Sequence, residues 1–168
     1  MKSIFKLFVA AFLTVAPLTA TAQSNVAHIN VQQLISEMPE VIAAQNELAK
    51  LEKDYTTQID NAFKEFQTKA QSYSSDAANQ TDVTNQARQK ELESMQTNLQ
   101  EFRDSAAQEL QKKQMDLMNP LLEKARNAIT KVGEEQGFNY VIDSSPNGGI
   151  ILANGKDLLA DVKKELGF

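Results

Sequence analysis

The sequence has no cysteine and no tryptophan, a single histidine, only four prolines, and no long apolar run beyond its first residues. Without cysteine there is no disulfide stapling, no thiolate metal ligation and no lipid attachment through a thiol, so stability must come from packing. The lone histidine, His28, cannot form a histidine cluster and would be the one imidazole base for any nucleophile. Ser144 and Ser145 are hydroxyls that could approach it, but turn serines beside a strand histidine are the simpler reading. Gly148-Gly149 follows Pro146-Asn147 with no helix immediately behind, which makes it a turn rather than a phosphate loop. The carboxylate pairs Glu91/Glu93 and Glu134/Glu135 read as solvated helix faces. No catalytic residue, metal site or cofactor is therefore expected, and the chain does not read as an enzyme.

Positive charge is also scarce, with 17 basic residues against 22 acidic ones and a net charge of -5. The opening Met1-Lys-Ser-Ile-Phe-Lys6, the apolar run Leu7 to Val15 and the small-residue triplet Ala20-Thr21-Ala22 have the order of a secretory signal peptide over 1–22. That run is too short for a membrane-spanning helix, which needs about 20 residues. Cleavage after Ala22 removes Lys2 and Lys6, leaving 15 basic and 22 acidic residues, a net charge of -7. So acidic an exported chain is a poor partner for nucleic acid, where neutralising phosphates supplies most of the affinity.

In the mature part, 23–168, Ala27-His-Ile-Asn-Val31 alternates apolar and polar residues and predicts a strand, and Gln32 to Glu37 a short helical turn ending near Met38. Pro39 fits the first turn of a new helix. From Glu40 to Tyr73 the apolar residues Val41, Leu48, Leu51, Tyr55, Ile59, Phe63, Phe66, Ala70 and Tyr73 form one narrow stripe. After a polar run near 74–82, a second stripe follows: Leu92, Met95, Leu99, Phe102, Ala106, Leu110, Leu117 and Leu121. Narrow stripes are coiled-coil seams, and two of them joined by a short polar turn predict an antiparallel helical hairpin. Facing residues of such a hairpin share a constant sum of residue numbers. Phe66 with Leu92, Phe63 with Met95, Ile59 with Leu99, Leu48 with Leu110 and Val41 with Leu117 do so, Tyr55 with Phe102 misses by one, and the implied centre is Asn79.

From Met115 onward the second helix is apolar over a wider face, so its root should be embedded. Asn119-Pro120 predicts a kink or restart there, and Gly137 an end. The stretch Asn139 to Leu152 reads as two strands around a turn that pair with the first strand, and Asp157 as the cap of a last helix over Leu158, Leu159, Val162 and Leu166. The expected division is a body of 23–39 and 137–168 and an arm of 40–136. That body has 49 residues and no staples, marginal for an isolated core, so other copies of the chain are expected to complete the small sheet. Ile29, Val31, Val141 and Ile151 are the apolar strand positions expected to hold the body and its assembly together.

The same residues resemble the Skp/OmpH family of periplasmic chaperones. The resemblance rests on Val26-Ala-His-Ile-Asn-Val-Gln-Gln-Leu-Ile35, Met38-Pro-Glu-Val-Ile-Ala-Ala-Gln-Asn-Glu-Leu48, Pro120-Leu-Leu-Glu-Lys-Ala-Arg-Asn-Ala-Ile129, and Gly137-Phe-Asn-Tyr-Val-Ile-Asp143 leading to Gly155-Lys-Asp-Leu-Leu-Ala-Asp-Val162. It implies a predominantly helical α+β fold, a homotrimer with a β body and helical-hairpin arms. It also implies an ATP-independent holdase that keeps unfolded outer-membrane β-barrel proteins between those arms in the periplasm. Basic members of the family attract acidic lipid headgroups, but residues 47 to 118 here hold nine basic and thirteen acidic residues, which argues against lipopolysaccharide or phospholipid contact. The other function class is an exported coiled-coil spacer or adaptor of the cell envelope. The arm residues that could touch a client are Tyr73, Met115, Phe63, Phe66 and Phe102, of which the three phenylalanines are also explained by the seam. Tyr73, opposite polar Asn85, and Met115, turned away from the seam, are the first candidates for touching a client.

Overall fold

A computed structural model describes residues 25–146 and 148–168, so the expected signal peptide lies outside the described residues. The chain begins with strand β1 (Val26–Ile29) and helix α1 (Val31–Glu37). Val31 is the first residue of α1, not the last of a strand. Asn30 stops the strand because its side chain accepts a hydrogen bond from Gln33 N and caps the helix, which local alternation does not reveal. Two further side chains serve the same terminus: Asp143 Oδ1 accepts from Val31 N at 3.2 Å and Ser145 Oγ from Gln32 N at 3.0 Å. Three of the four free amides at the start of a seven-residue helix are thereby satisfied.

Helix α2 (Pro39–Asp76) and helix α3 (Asp82–Glu135) are the two sides of the hairpin, joined by a 3-10 turn at Ala77–Asn79 and capped by Thr81. At 1.5 Å per residue they are about 57 and 81 Å long. The turn falls within the expected polar run and includes Asn79, the Tyr55 and Phe102 rings meet edge to face with centroids 6.0 Å apart, and Leu99 and Ala106 are buried in the seam. The restart that Asn119-Pro120 could impose does not occur, and α3 runs through Pro120 without a break. Pro120 and Asp116 are both exposed, so the carbonyl that loses its partner faces water instead of protein.

Strand β2 (Tyr140–Asp143) pairs with β1 in parallel, Val26 opposite Tyr140 and Ile29 opposite Asp143. Strand β3 (Lys156–Asp157) pairs in parallel on the other side, giving the order β2-β1-β3 among the described residues. The expected strand through Ile151 is therefore not formed, and Ile151 is fully exposed. Parallel neighbours need a crossover rather than a tight turn, and the described residues between β2 and β3, 144–146 and 148–155, form no further strand or helix and carry Gly149 at φ +73°. Helix α4 (Leu159–Leu166) closes the chain. Its N-cap position is Leu158 rather than the expected Asp157, but from one residue earlier Asp157 Oδ1 accepts from Leu159 N at 2.9 Å.

The core mixes all of these pieces. Ala27, Ile29, Leu34, Met38, Val41, Leu158 and Val162 are buried against Ala125, Ala128 and Val132 from the root of α3, with Val141 packed at the margin. Close approach is built in at Gly133 of α3, where an added Cβ would lie 2.8 Å from Val141 Cγ2.

Candidate binding surfaces

The far end of the hairpin is closed by polar groups. Lys69 Nζ lies 2.6 Å from Glu91 Oε1, the Tyr73 phenol donates to Glu91 Oε2 at 2.6 Å, and the Arg88 guanidinium sits 4.7 Å over the Tyr73 ring. Arg88 Nη2 also reaches Asp76 Oδ2 at 3.1 Å, and Asn85 Nδ2 donates to the carbonyl of Ala77. The ammonium of Lys69 and the phenol of Tyr73 hold the Glu91 carboxyl below its usual range, and Arg88, with Asn79, does the same for Asp76. Glu91 in turn holds Lys69 and the Tyr73 phenol above theirs. Tyr73 thus has a role inside the hairpin that its apolar spacing did not suggest.

The other arm candidates are spread along the hairpin rather than gathered in one pocket. Phe63 and Phe66 line a shallow groove with Gln96, Leu99 and Arg103, Phe63 remaining 40 % exposed, while Phe102 is half-buried against Tyr55. Met115 is 48 % exposed, and Ile42 and Leu122 near the arm root are also exposed. Leu122 continues into a groove beside β2 lined by Val31, Ile35, Ile129, Phe138 and Val141.

The second apolar surface is the outer face of the sheet. Ala27 and Ile29 of β1 point into the core, so Val26 and His28 point out, beside Tyr140 and Ile142 of β2. The crossover loop lays Ile150 and Leu152 near Val26, His28 and Ile142, leaving Tyr140, Ile151 and Leu152 strongly exposed. His28 Nδ1 is 3.2 Å from Ser144 Oγ, so the structure brings together the one imidazole and a hydroxyl. Ser145 is buried but bound to Asp143 and Asn30, where it supports the α1 terminus. Among the described residues no cluster of three potential metal ligands occurs, and no helix is long and apolar enough to cross a membrane.

A hairpin of this length rooted in a small parallel sheet can be compared with known proteins. The profile of the family described as Outer membrane protein (OmpH-like) matches residues 25–166. The chain belongs to that family. This OmpH-like chain is 26 % identical over 159 residues to the chaperone protein Skp of Yersinia enterocolitica, covering 92 % of the chain and 93 % of the relative. To the protein of the same name from Pectobacterium atrosepticum it is 21 % identical, with 90 % of each covered. Among solved structures, an OmpH-like protein from Caulobacter crescentus superposes with a TM-score of 0.76 at 12 % identity, over 86 % of this chain and 85 % of the other. The α+β, predominantly helical fold expected from the sequence is the fold observed.

Proposed function

We propose that this OmpH-like protein is an ATP-independent holdase of the periplasm that shields unfolded outer-membrane β-barrel proteins among helical arms carried by a homotrimer. The observation that carries this reading is the end-to-end correspondence with proteins named Skp chaperones, joined to a hairpin arm with thin apolar seams and exposed Met115, Ile42, Leu122 and Phe63. Many weak apolar contacts of this kind favour capture without tight fixation, so a client leaves by mass action and no nucleotide is needed.

Assembly through copies of the chain is supported by the sheet. All-parallel sheets are normally covered on both faces, and here one face offers Tyr140, Ile142 and the loop residues Ile150 to Leu152 to solvent. Strand β2 is an edge whose outer side has no partner strand among the described residues. A body this small gains a second covered face by packing against its own copies.

The test is dilution of a urea-unfolded outer-membrane barrel protein into buffer with stoichiometric amounts of the mature chain. A holdase suppresses the rise in light scattering without ATP. An envelope spacer leaves it unchanged, and that outcome would replace this reading with the structural one.

A further inference from the structure

The outer sheet face carries one histidine among apolar and aromatic side chains. Val26, Tyr140, Ile142, Ile150, Ile151 and Leu152 are apolar or aromatic, and His28 stands among them, half-buried, with its Nδ1 against the Ser144 hydroxyl. We propose that His28 makes self-association of this face pH-sensitive, the neutral imidazole permitting the face to be covered by a second copy and the imidazolium opposing it. The inference rests on the assembly reading above and adds a condition to it.

The physical argument is desolvation. A charge taken from water into an apolar contact is costly unless a partner comes with it. The groups that face His28 offer little compensation. On β2 its register partner is Ile142, beside Tyr140, and the nearby Asp143 carboxylate is spent on Val31 N and Ser145. On β3 its register partner is Asp157, whose Oδ1 accepts from Leu159 N, and Lys156 is paired with Asp161 at 3.1 Å. The loop residues Ile150 to Gly155 carry no titratable side chain. Ser144 serves either form of the ring, as acceptor or as donor, so it does not favour the charge. Asp157 is the one group that could reverse the sign, by pairing with the imidazolium.

The size of the effect follows from linkage. If the covered face admits the neutral ring alone, each chain joining the assembly loses about tenfold in association for every pH unit over which the uncovered ring is fully protonated.

The experiment is sedimentation equilibrium of the mature chain at fixed ionic strength from pH 8 to pH 5, alongside His28→Gln and His28→Phe. The expected result is an assembly that is tight at pH 8 and weakens at least tenfold by pH 5.5, with both variants assembling at pH 8 and losing the dependence. Assembly of the wild-type chain that is unchanged across this range, or that tightens in acid through Asp157, overturns the proposal and leaves the assembly reading standing. A weakening that persists equally in a folded variant also overturns it, by assigning the effect to other groups. A chain that is monomeric at pH 8 overturns both.

Discussion

Glu91 does at the arm tip what no apolar residue there can do, because it binds one cation and one phenol from the opposite helix. Its carboxyl and that of Asp76 are held low by Lys69 and Arg88, so their contribution is fully present above the unfolded values of about 4.3 and 3.9 and is lost as pH falls through the folded ones. Lys69 and Tyr73 are held high, so their contribution is present below about pH 10 and is lost as pH rises further. Amide protection over residues 70 to 90 should therefore be flat from about pH 5 to 9 and fall on either side. Glu91→Gln should lower it at neutral pH and blunt the acid loss, as read by hydrogen exchange corrected for intrinsic rates. At the other end, Asp143→Ala strips an acceptor from the α1 terminus and should cost about 1 kcal/mol in urea unfolding, the usual worth of a cap. Neither role was legible in sequence. Lys69, Arg88 and Glu91 look like any solvated helix face until the hairpin register brings their helices together, and Asp143 lies far from the helix it caps.

The long elements were legible because their signal repeats. A seam residue recurs at steps of three, four or seven along both helices, and a wrong register would misplace all of them together. Cysteines at Phe63 and Met95, or at Ile59 and Leu99, should accordingly crosslink within one chain. Efficient crosslinking at distinctly offset pairs instead would show another register. Short elements have no such redundancy. Strand β3 has two residues, Lys156 and Asp157, both polar, and it exists because β1 offers an open side, while Ile150-Ile151-Leu152 has strand-like composition but is committed to crossing the sheet. Where α3 meets β2, the missing side chain of Gly133 sets the spacing. Gly133→Ala gains roughly 1 kcal/mol of helix propensity but drives its Cβ into Val141, an overpacking that costs about 1 to 3 kcal/mol, so the net change in thermal unfolding should be destabilising by up to about 2 kcal/mol.

For the whole molecule, the arm and the sheet are separable in principle, since the core reaches no further along the hairpin than Val41 on one helix and its partners Met118 and Leu121 on the other. Joining Leu48 to Leu110 through a short glycine-containing turn should leave the sheet folded, by circular dichroism and amide protection of β1, while protection of an aggregating barrel protein falls severalfold. Undiminished protection would move the client contact from the arm to the body. The parallel pairing of Val26 with Tyr140 has a further consequence, for the order in which the chain folds. Closing so long a loop from an open coil costs about 4 kcal/mol in chain entropy beyond a constant, and the third strand and the last helix lie later still. The turn at Ala77–Asn79 offers a shorter path: two helices zip back from it through local steps, and each turn they add shortens the loop that remains between β1 and β2. A chain emerging from its N-terminus would thus hold its first strand unpaired until Tyr140 to Asp143 are through, with the growing coiled coil acting as the ruler that returns the two strands to each other.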